Sequence, residues 1–164
     1  MSPGRINPVN ELAALGEAPG FQVDTSLDFQ NELAPRLLDR WQSRRSNGGL
    51  PARRDFDVLE LKDFMGWLCV AEVAPGGDDL VYRLIGTRIV EKVGRDNTGK
   101  PVSETLPPAA LEIFQHLMQK PQPVRTWGRV AWRDRDFRHH ESLVLPLADD
   151  GRTVDRFFVL MTFY

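Results

Sequence analysis

The feature that most constrains the fold of this chain is a run of three strand-like segments at its C-terminal end. Residues 124–132, 139–147 and 156–164 combine apolar, β-branched and aromatic side chains, and short charged turns separate them. The second turn contains Asp150-Gly151, a dipeptide that is typical of tight β-hairpins. Three consecutive strands with short connections predict one antiparallel sheet.

Two more strands and two helices are predicted upstream of this trio. Residues 67–73 and 80–86 flank a turn rich in Pro and Gly, which predicts a second hairpin. A short helix is predicted over 87–93 and a longer one over 108–119, where Pro108 suits the first helical turn. This order predicts an α+β fold, in which helices pack on one face of a five-stranded antiparallel sheet.

A separate amphipathic helix is predicted before the sheet. Its apolar side chains recur at every fourth position, at Phe29, Leu33, Leu37 and Trp41. Ser26 is a candidate cap, and Pro35 either kinks this helix or marks the first turn of a second one. We therefore divide the chain into a flexible leader over 1–25, an N-terminal helix over 26–49 and a domain over 50–164.

Composition disfavours several classes of protein. The formal net charge is -2, from 21 basic and 23 acidic residues, whereas nucleic-acid binders need a clustered basic excess. The longest apolar run, residues 157–161, is too short to span a membrane, and residues 1–5 lack the apolar core of a signal peptide. Cys69 is the only cysteine, so a disulfide cannot form within the chain. These observations predict a cytoplasmic protein without nucleic-acid or membrane partners.

Short sequence motifs follow this framework in a specific order. They are Trp41, Leu50-Pro51-Ala52-Arg53-Arg54-Asp55-Phe56-Asp57, Tyr82-Arg83-Leu84-Ile85-Gly86-Thr87, Gly94-Arg95-Asp96, Thr98-Gly99-Lys100-Pro101, Leu145-Pro146-Leu147 and Asp149-Asp150-Gly151. Together they resemble a bacterial PAS family of short, often stand-alone proteins, over roughly residues 30–164. The resemblance implies a PAS fold, whose helices cover a cavity, and a sensory or interaction role. A shared fold does not by itself determine function.

The helices that would cover such a cavity supply candidate ligand contacts. On a helical wheel of residues 108–119, Leu111, Phe114 and Met118 lie on the apolar arc, and His116 lies on the opposite side, towards water. Haem ligation by His116 is therefore not expected. The candidate lining for a small apolar ligand is Tyr82, Leu84, Ile89, Val93, Leu111, Phe114 and Met118. The alternative is that these side chains merely fill the core.

Other chemically versatile residues favour structural roles. Cys69 lies on a predicted strand, where a buried, inert thiol is expected rather than a site of chromophore attachment. His139 and His140 are neighbours on a strand and point to opposite faces, so they cannot easily share one metal ion. We expect no cofactor and no metal.

One motif favours an enzyme instead. Gly76-Gly77-Asp78-Asp79 is similar to the signature loop of diguanylate cyclases, whose chemistry needs upstream carboxylates to hold two metal ions. The upstream Asn-Asp and Gly-His elements are missing here, so a hairpin turn with solvated charges is the preferred interpretation. A nucleotide cyclase is the alternative function.

The strand over 124–132 carries a candidate interaction surface. Arg125, Trp127 and Arg129 share one face, and arginine and aromatic side chains dominate interface anchors. This face is either a partner interface or is covered by the N-terminal helix, and both hold in a dimer. The interface candidates are Phe29, Leu33, Leu37, Trp41, Arg125, Trp127 and Arg129. The sequence thus predicts a non-catalytic sensory module that associates with a second copy or a regulatory protein and is tuned by a small ligand.

Overall fold

The structure, a computed structural model, describes residues 22–130 and 138–164. The described strands are β1 (Gln22–Asp24), β2 (Leu68–Val73), β3 (Leu80–Ile85), β4 (Val124–Val130), β5 (Arg138–Leu147) and β6 (Arg156–Phe163). The described α-helices are α1 (Leu33–Ser43), α2 (Thr87–Val93) and α3 (Pro108–Gln119), and short 3-10 turns occupy Arg53–Asp55, Met65–Trp67 and Val102–Glu104. None of these helices has the length and apolar character needed to cross a membrane.

The strands form one antiparallel sheet in the order β1-β4-β5-β6-β2-β3. The predicted α+β class is confirmed, and the five predicted strands are β2 to β6. The predicted number of strands is too low, because residues 22–24 of the expected leader form a sixth strand on the edge of β4. A strand of three residues is too short to show a two-residue periodicity in sequence. Residues 1–21 of the leader lie outside the described part of the chain.

The sheet is covered on both faces. Helices α2 and α3 pack on what we call the inner face, where Leu117 joins an apolar cluster with Phe157 of β6. Helix α1 packs on the outer face, where Leu37 and Trp41 join a second cluster around Phe158. Full burial of a large apolar side chain contributes roughly 1.5–3 kcal/mol to stability. Each face of the sheet therefore has its own apolar core, and α1 is held by the outer one.

Helix α1 begins later than predicted. Ser26 does not cap it, because the Ser26 backbone N and Oγ both donate to Asp24 Oδ1, at 3.2 and 2.9 Å. The backbone N of Ala34, in the first turn, donates instead to Asn31 Oδ1 at 2.8 Å. Pro35 also lies in this first turn, where its missing N–H is not needed. The interpretation of Pro35 as a first-turn residue is therefore correct.

The connector after α1 is fastened to the turn between β5 and β6. The Leu50 amide donates to Gly151 O at 2.8 Å, and the Ala148 amide donates to Pro51 O at 2.9 Å. Two sequence motifs that lie far apart along the chain are thus one structural unit.

The junction between β3 and α2 brings two backbone segments into close contact at Gly86. The Gly86 amide donates to Leu68 O at 2.9 Å. A Cβ at this position would lie 2.3 Å from Gly66 O and 2.4 Å from Met65 O. Only glycine at position 86 therefore allows the two backbone segments to come this close.

Gly86→Ala is expected to lower the free energy of unfolding by at least roughly 2 kcal/mol, because the 65–66 backbone must move to admit the methyl group. Gly66→Ala is the matched control, since its nearest neighbour would be the flexible side chain of Arg88, at 2.9 Å. Urea unfolding followed by tryptophan fluorescence measures both variants. Wild-type stability for Gly86→Ala would contradict the packing at this junction.

Candidate functional site

Most of the predicted pocket residues come together on the inner face. Tyr82, Ile89 and Phe114 are buried in the inner cluster, and Val93, Leu111 and Met118 are partly buried against it. The ring of Phe114 packs edge-on against Phe157, with centroids 5.0 Å apart. The Thr105 hydroxyl donates to the Tyr82 hydroxyl oxygen at 3.3 Å. Strand β3 and helices α2 and α3 therefore bring these six side chains to one side of the sheet.

Leu84 is the exception, because a β-bulge reverses the alternation of β3. Cys69 pairs with Ile85 and Val70 with Leu84, but Ala71 pairs with Tyr82, so Arg83 is an extra residue in β3. Leu84 consequently packs against the outer cluster. A strict two-residue period places Leu84 beside Tyr82, and a bulge is not visible in the sequence pattern. Leu84 is therefore removed from the candidate pocket.

Helix α3 buries a wider arc than the helical wheel indicated. Ile113, which the prediction left out, is 2% exposed and belongs to the inner cluster. Its burial extends the apolar arc towards His116, which is half-buried with its Nε2 shielded from solvent. The expectation that His116 faces water is therefore wrong.

The inner face of β4 and β5 carries a group of buried polar side chains, Thr126, His140 and Ser142, which we call the inner polar strip. Thr126 pairs with Ser142, whose other neighbour, Met161 of β6, packs against the inner cluster. Ser142 is 1% exposed, and its Oγ has no hydrogen-bond partner among the described residues. Burial lowers the pKa of His140 to about 4, so its imidazole is neutral at neutral pH. The strip is polar but uncharged.

His139 and His140 point to opposite faces of β5, as expected. The ring of His139 is stacked on that of Tyr164, with centroids 5.6 Å apart, and His139 is exposed. The burial of His140 was not predicted, because it depends on packing with parts of the chain that are distant in sequence.

The outer face carries a buried carboxylate, that of Glu141, between the two polar residues of β5. Glu141 is 1% exposed, and its Oε2 accepts a hydrogen bond from Arg125 Nε at 2.9 Å and forms an ion pair with Arg125 Nη2 at 2.8 Å. The backbone amides of Gln30 and Asn31 both donate to this carboxylate at 3.1 Å, and Asn31 Nδ2 donates at 2.6 Å. We call Glu141, Arg125 and Asn31 the Glu141 clamp. It joins β5, β4 and the chain just before α1.

Arg125 is held on three sides. Besides Glu141, its guanidinium lies 3.5 Å from the Asp24 carboxylate on β1 and 4.3 Å from the ring centroid of Trp127. A desolvated charge is stable in a protein only when it is paired and hydrogen-bonded. The Glu141 clamp meets that requirement for both of its charges.

Most of the predicted interface residues are buried or partly buried within the chain itself. Leu37, Trp41 and Arg125 are buried, whereas Phe29, Leu33 and Trp127 are partly buried. Trp41 Nε1 also donates to Pro146 O at 2.9 Å. Within one chain, α1 covers the outer cluster, whereas Arg125 is covered through its contacts with Glu141, Asp24 and Trp127. The partner interface stays a prediction. The side chain of Arg129 lies outside the described part.

Glu141 stays ionised despite its burial. Burial alone raises the pKa of this carboxyl, but the hydrogen bonds from the Gln30 and Asn31 amides and from Arg125 outweigh it and hold the pKa below its usual value. The carboxylate form is therefore built into the folded state.

Two further predicted residues have structural roles. The Asp79 carboxylate accepts hydrogen bonds from the Leu80 amide at 2.8 Å, from the Ser103 amide at 3.2 Å and from the Ser103 hydroxyl. Asp79 thus fastens the β2–β3 turn to the 3-10 turn at 102–104, although its charge was expected to be solvated. Cys69 is buried, and burial raises the pKa of its thiol to about 12, which agrees with the expected inert thiol.

The sheet order and the helices on its inner face agree with one protein family. A family model described as a PAS domain matches residues 30–162. The chain belongs to the PAS domain family. The match takes in α1, the Glu141 clamp residues Asn31, Arg125 and Glu141, and the inner polar strip.

A comparison with solved structures finds an RNA-binding light-oxygen-voltage receptor, with 14% sequence identity and a TM-score of 0.49. The alignment covers 88% of this chain and 38% of that chain, so this chain spans well under half of the receptor structure. Among curated protein sequences, none matches this PAS domain.

Glu141→Gln is expected to lower the free energy of unfolding by at least roughly 2 kcal/mol, because it leaves the buried Arg125 without its main counter-charge. Glu72→Gln is the matched control: Glu72 pairs with Arg83 at 3.1 Å on the exposed side of the hairpin. Loss of that pair should change stability by less than roughly 1 kcal/mol. Urea unfolding at pH 7 measures both, and equal effects of the two substitutions would contradict the role of the Glu141 clamp.

The contribution of Glu141 should also depend on pH in a defined direction. A carboxyl whose pKa is lowered by folding stabilises fully above its unfolded pKa, about 4.3, and loses this effect as the pH falls through the folded value. The stability difference between the wild type and Glu141→Gln should therefore be largest at neutral pH and shrink below about pH 4. Urea titrations between about pH 3 and about pH 7 measure this difference. If the stability difference instead grows towards low pH, folding raises the pKa of Glu141 and does not lower it.

Proposed function

We propose that this PAS domain is a non-catalytic sensory module that binds a small, neutral, largely apolar ligand on its inner face and signals through association with another protein molecule. The observation that carries the ligand proposal is the buried hydroxyl of Ser142, which has no partner among the described residues.

The Ser142 hydroxyl is unusual because buried polar groups are nearly always hydrogen-bonded. A hydroxyl that gives up its hydrogen bonds to water on burial and gains none in the protein lowers stability by roughly 1–3 kcal/mol. A ligand with one hydrogen-bonding group would remove this cost. The apolar inner cluster begins at the next inward position of β5, Val144, so the rest of the ligand would contact carbon.

The charge of the ligand follows from the distribution of buried charges. Among the described residues, the two buried charged side chains are Arg125 and Glu141, and both lie on the outer face. The inner polar strip offers a neutral imidazole and two hydroxyl groups. A charged ligand would be desolvated there without a counter-charge, so a neutral one is favoured.

Strand β5 supplies a direct link between the ligand and the surface of the domain. Successive side chains of a strand point to opposite faces, so His140 and Ser142 face inward while Glu141 between them faces outward. A shift of β5 around a ligand would therefore act on the Glu141 clamp and on α1. This supports association as the output, with a second copy or a regulatory protein as the partner.

The proposal assigns no catalytic step. The loop that is similar to a cyclase signature has its Asp79 carboxylate bonded to the Leu80 amide and to Ser103, which favours a structural turn. Incubation with GTP and Mg²⁺ tests this point, and formation of a cyclic nucleotide would overturn it.

Ligand binding is tested with a neutral and a charged probe of equal chain length, 1-octanol and octanoate. We expect 1-octanol to raise the melting temperature of the wild type and octanoate to have no effect. Ser142→Ala should weaken the 1-octanol effect, because the hydroxyl that meets the polar end of the probe is removed. Ser43→Ala, an exposed serine at the end of α1, is the control.

Native mass spectrometry of the purified protein provides the second readout. The proposal predicts an organic adduct that is reduced by Ser142→Ala and retained by Ser43→Ala. If the wild type carries no adduct and is indifferent to 1-octanol, the ligand part of the proposal fails.

A further inference from the structure

Strand β1 is a three-residue edge strand that pairs with β4. Its side chains make contacts on both faces of the sheet. Val23 pairs with Thr126, and its side chain is buried in the inner cluster. Asp24 pairs with Arg125, and its carboxylate lies 3.5 Å from the guanidinium on the outer face. The edge of β4 is therefore fitted to the sequence Gln22-Val23-Asp24 by an apolar contact and an ion pair.

The chain between β1 and the Glu141 clamp forms a tight hinge over residues 25–29. Leu27, in the middle of this hinge, has a φ of +57°, in the left-handed region that is unfavourable for a residue with a Cβ. Short hinges under strain favour exchange of the segment they connect between two copies of a protein, because a straightened hinge relieves the strain.

We propose that β1 is exchanged between two copies of this chain, so that β1 of each copy pairs with β4 of the other. The inference rests on the proposed function, because it names the associating partner as a second copy. Each exchanged β1 makes the same Val23 and Asp24 contacts as in a single chain, and the backbone of Leu27 is released from its left-handed conformation. Asn31 stays on Glu141 of its own chain, so the two chains part at the hinge.

A second copy suits this edge better than an unrelated protein. The inner side of the edge accepts an apolar side chain of the size of Val23, and its outer side accepts a carboxylate opposite Arg125. A second copy carries both in the required register. A straightened hinge of five residues reaches at most about 17 Å, so the two β4 edges must lie side by side, as two-fold symmetry allows.

Disulfide trapping between positions 23 and 126 tests the exchange. These positions face each other in an antiparallel pair, where the spacing of Cα atoms suits a disulfide. One chain carries Val23→Cys and the other Thr126→Cys, both with Cys69→Ala and with different affinity tags. The two chains are co-expressed, oxidised and separated on a non-reducing gel.

The proposal predicts a covalent dimer that contains both tags. The control replaces Thr126→Cys by Thr98→Cys, at an exposed position in the loop after α2, and should give little covalent dimer. Equal trapping at positions 98 and 126 would mean random oxidation and overturn the proposal. A chain that carries both Val23→Cys and Thr126→Cys and runs only as a closed monomer, with no mixed dimer from the single variants, would also overturn it.

The hinge gives an independent test by sedimentation velocity. Leu27→Gly removes the strain of the closed form, so it should weaken dimerisation by at least about fivefold. Leu59→Gly, at an exposed leucine, is the control and should leave it unchanged. A wild-type dimer without the mixed disulfide and insensitive to Leu27→Gly overturns the exchange but leaves association standing. A wild-type monomer at every concentration overturns both the exchange and self-association.

Discussion

The outer half of this domain depends on one buried carboxylate, that of Glu141. Its charge is removed from water, so it is stable only if every lone pair finds a donor. The donors come from Arg125 on β4 and from Gln30 and Asn31, which precede α1. Asn31 also accepts the Ala34 amide, so the same residue that binds the sheet starts the helix. This interaction fixes the start of α1 on the sheet, and the outer apolar cluster and the hydrogen bond from Trp41 Nε1 to Pro146 O hold the rest of the helix.

The polar side chains on the two faces of β5 differ in how fully they are hydrogen-bonded. Glu141 faces outward and accepts hydrogen bonds from four distinct donor groups, and it also forms an ion pair with Arg125 Nη2. Ser142, the next residue, faces inward and has none from the described residues. A buried polar group whose hydrogen bonds are all made holds its neighbours in place. A buried hydroxyl without a partner can form a hydrogen bond with a ligand atom. Because both sit on one strand, a change on the inner face has a short mechanical route to the Glu141 clamp.

Local sequence signals predicted the elements of the fold well and the site only in part. The bounds of α2 and α3 agree with the prediction, because Gly94 and Pro108 mark their limits through backbone conformation alone. The placement of Leu84 was wrong because a bulge at Arg83 depends on the neighbouring strand. The Glu141 clamp was missed because its donors on β4 and before α1 lie far from Glu141 along the chain, and no local pattern brings them together. Strand β1 was missed for the same reason, since its identity comes from pairing with β4.

Hydrogen exchange at the backbone amides of Gln30 and Asn31 tests the link between the two faces most directly. Both amides donate to Glu141, so their protection reports on the clamp. If 1-octanol binds at the inner polar strip, we expect the exchange rates of these two amides to change several-fold. The Leu50 amide, which bonds to Gly151 O, should not change. If 1-octanol shifts the NMR signal of Ser142 but leaves the exchange rates of the Gln30 and Asn31 amides unchanged, the two faces of β5 are not linked.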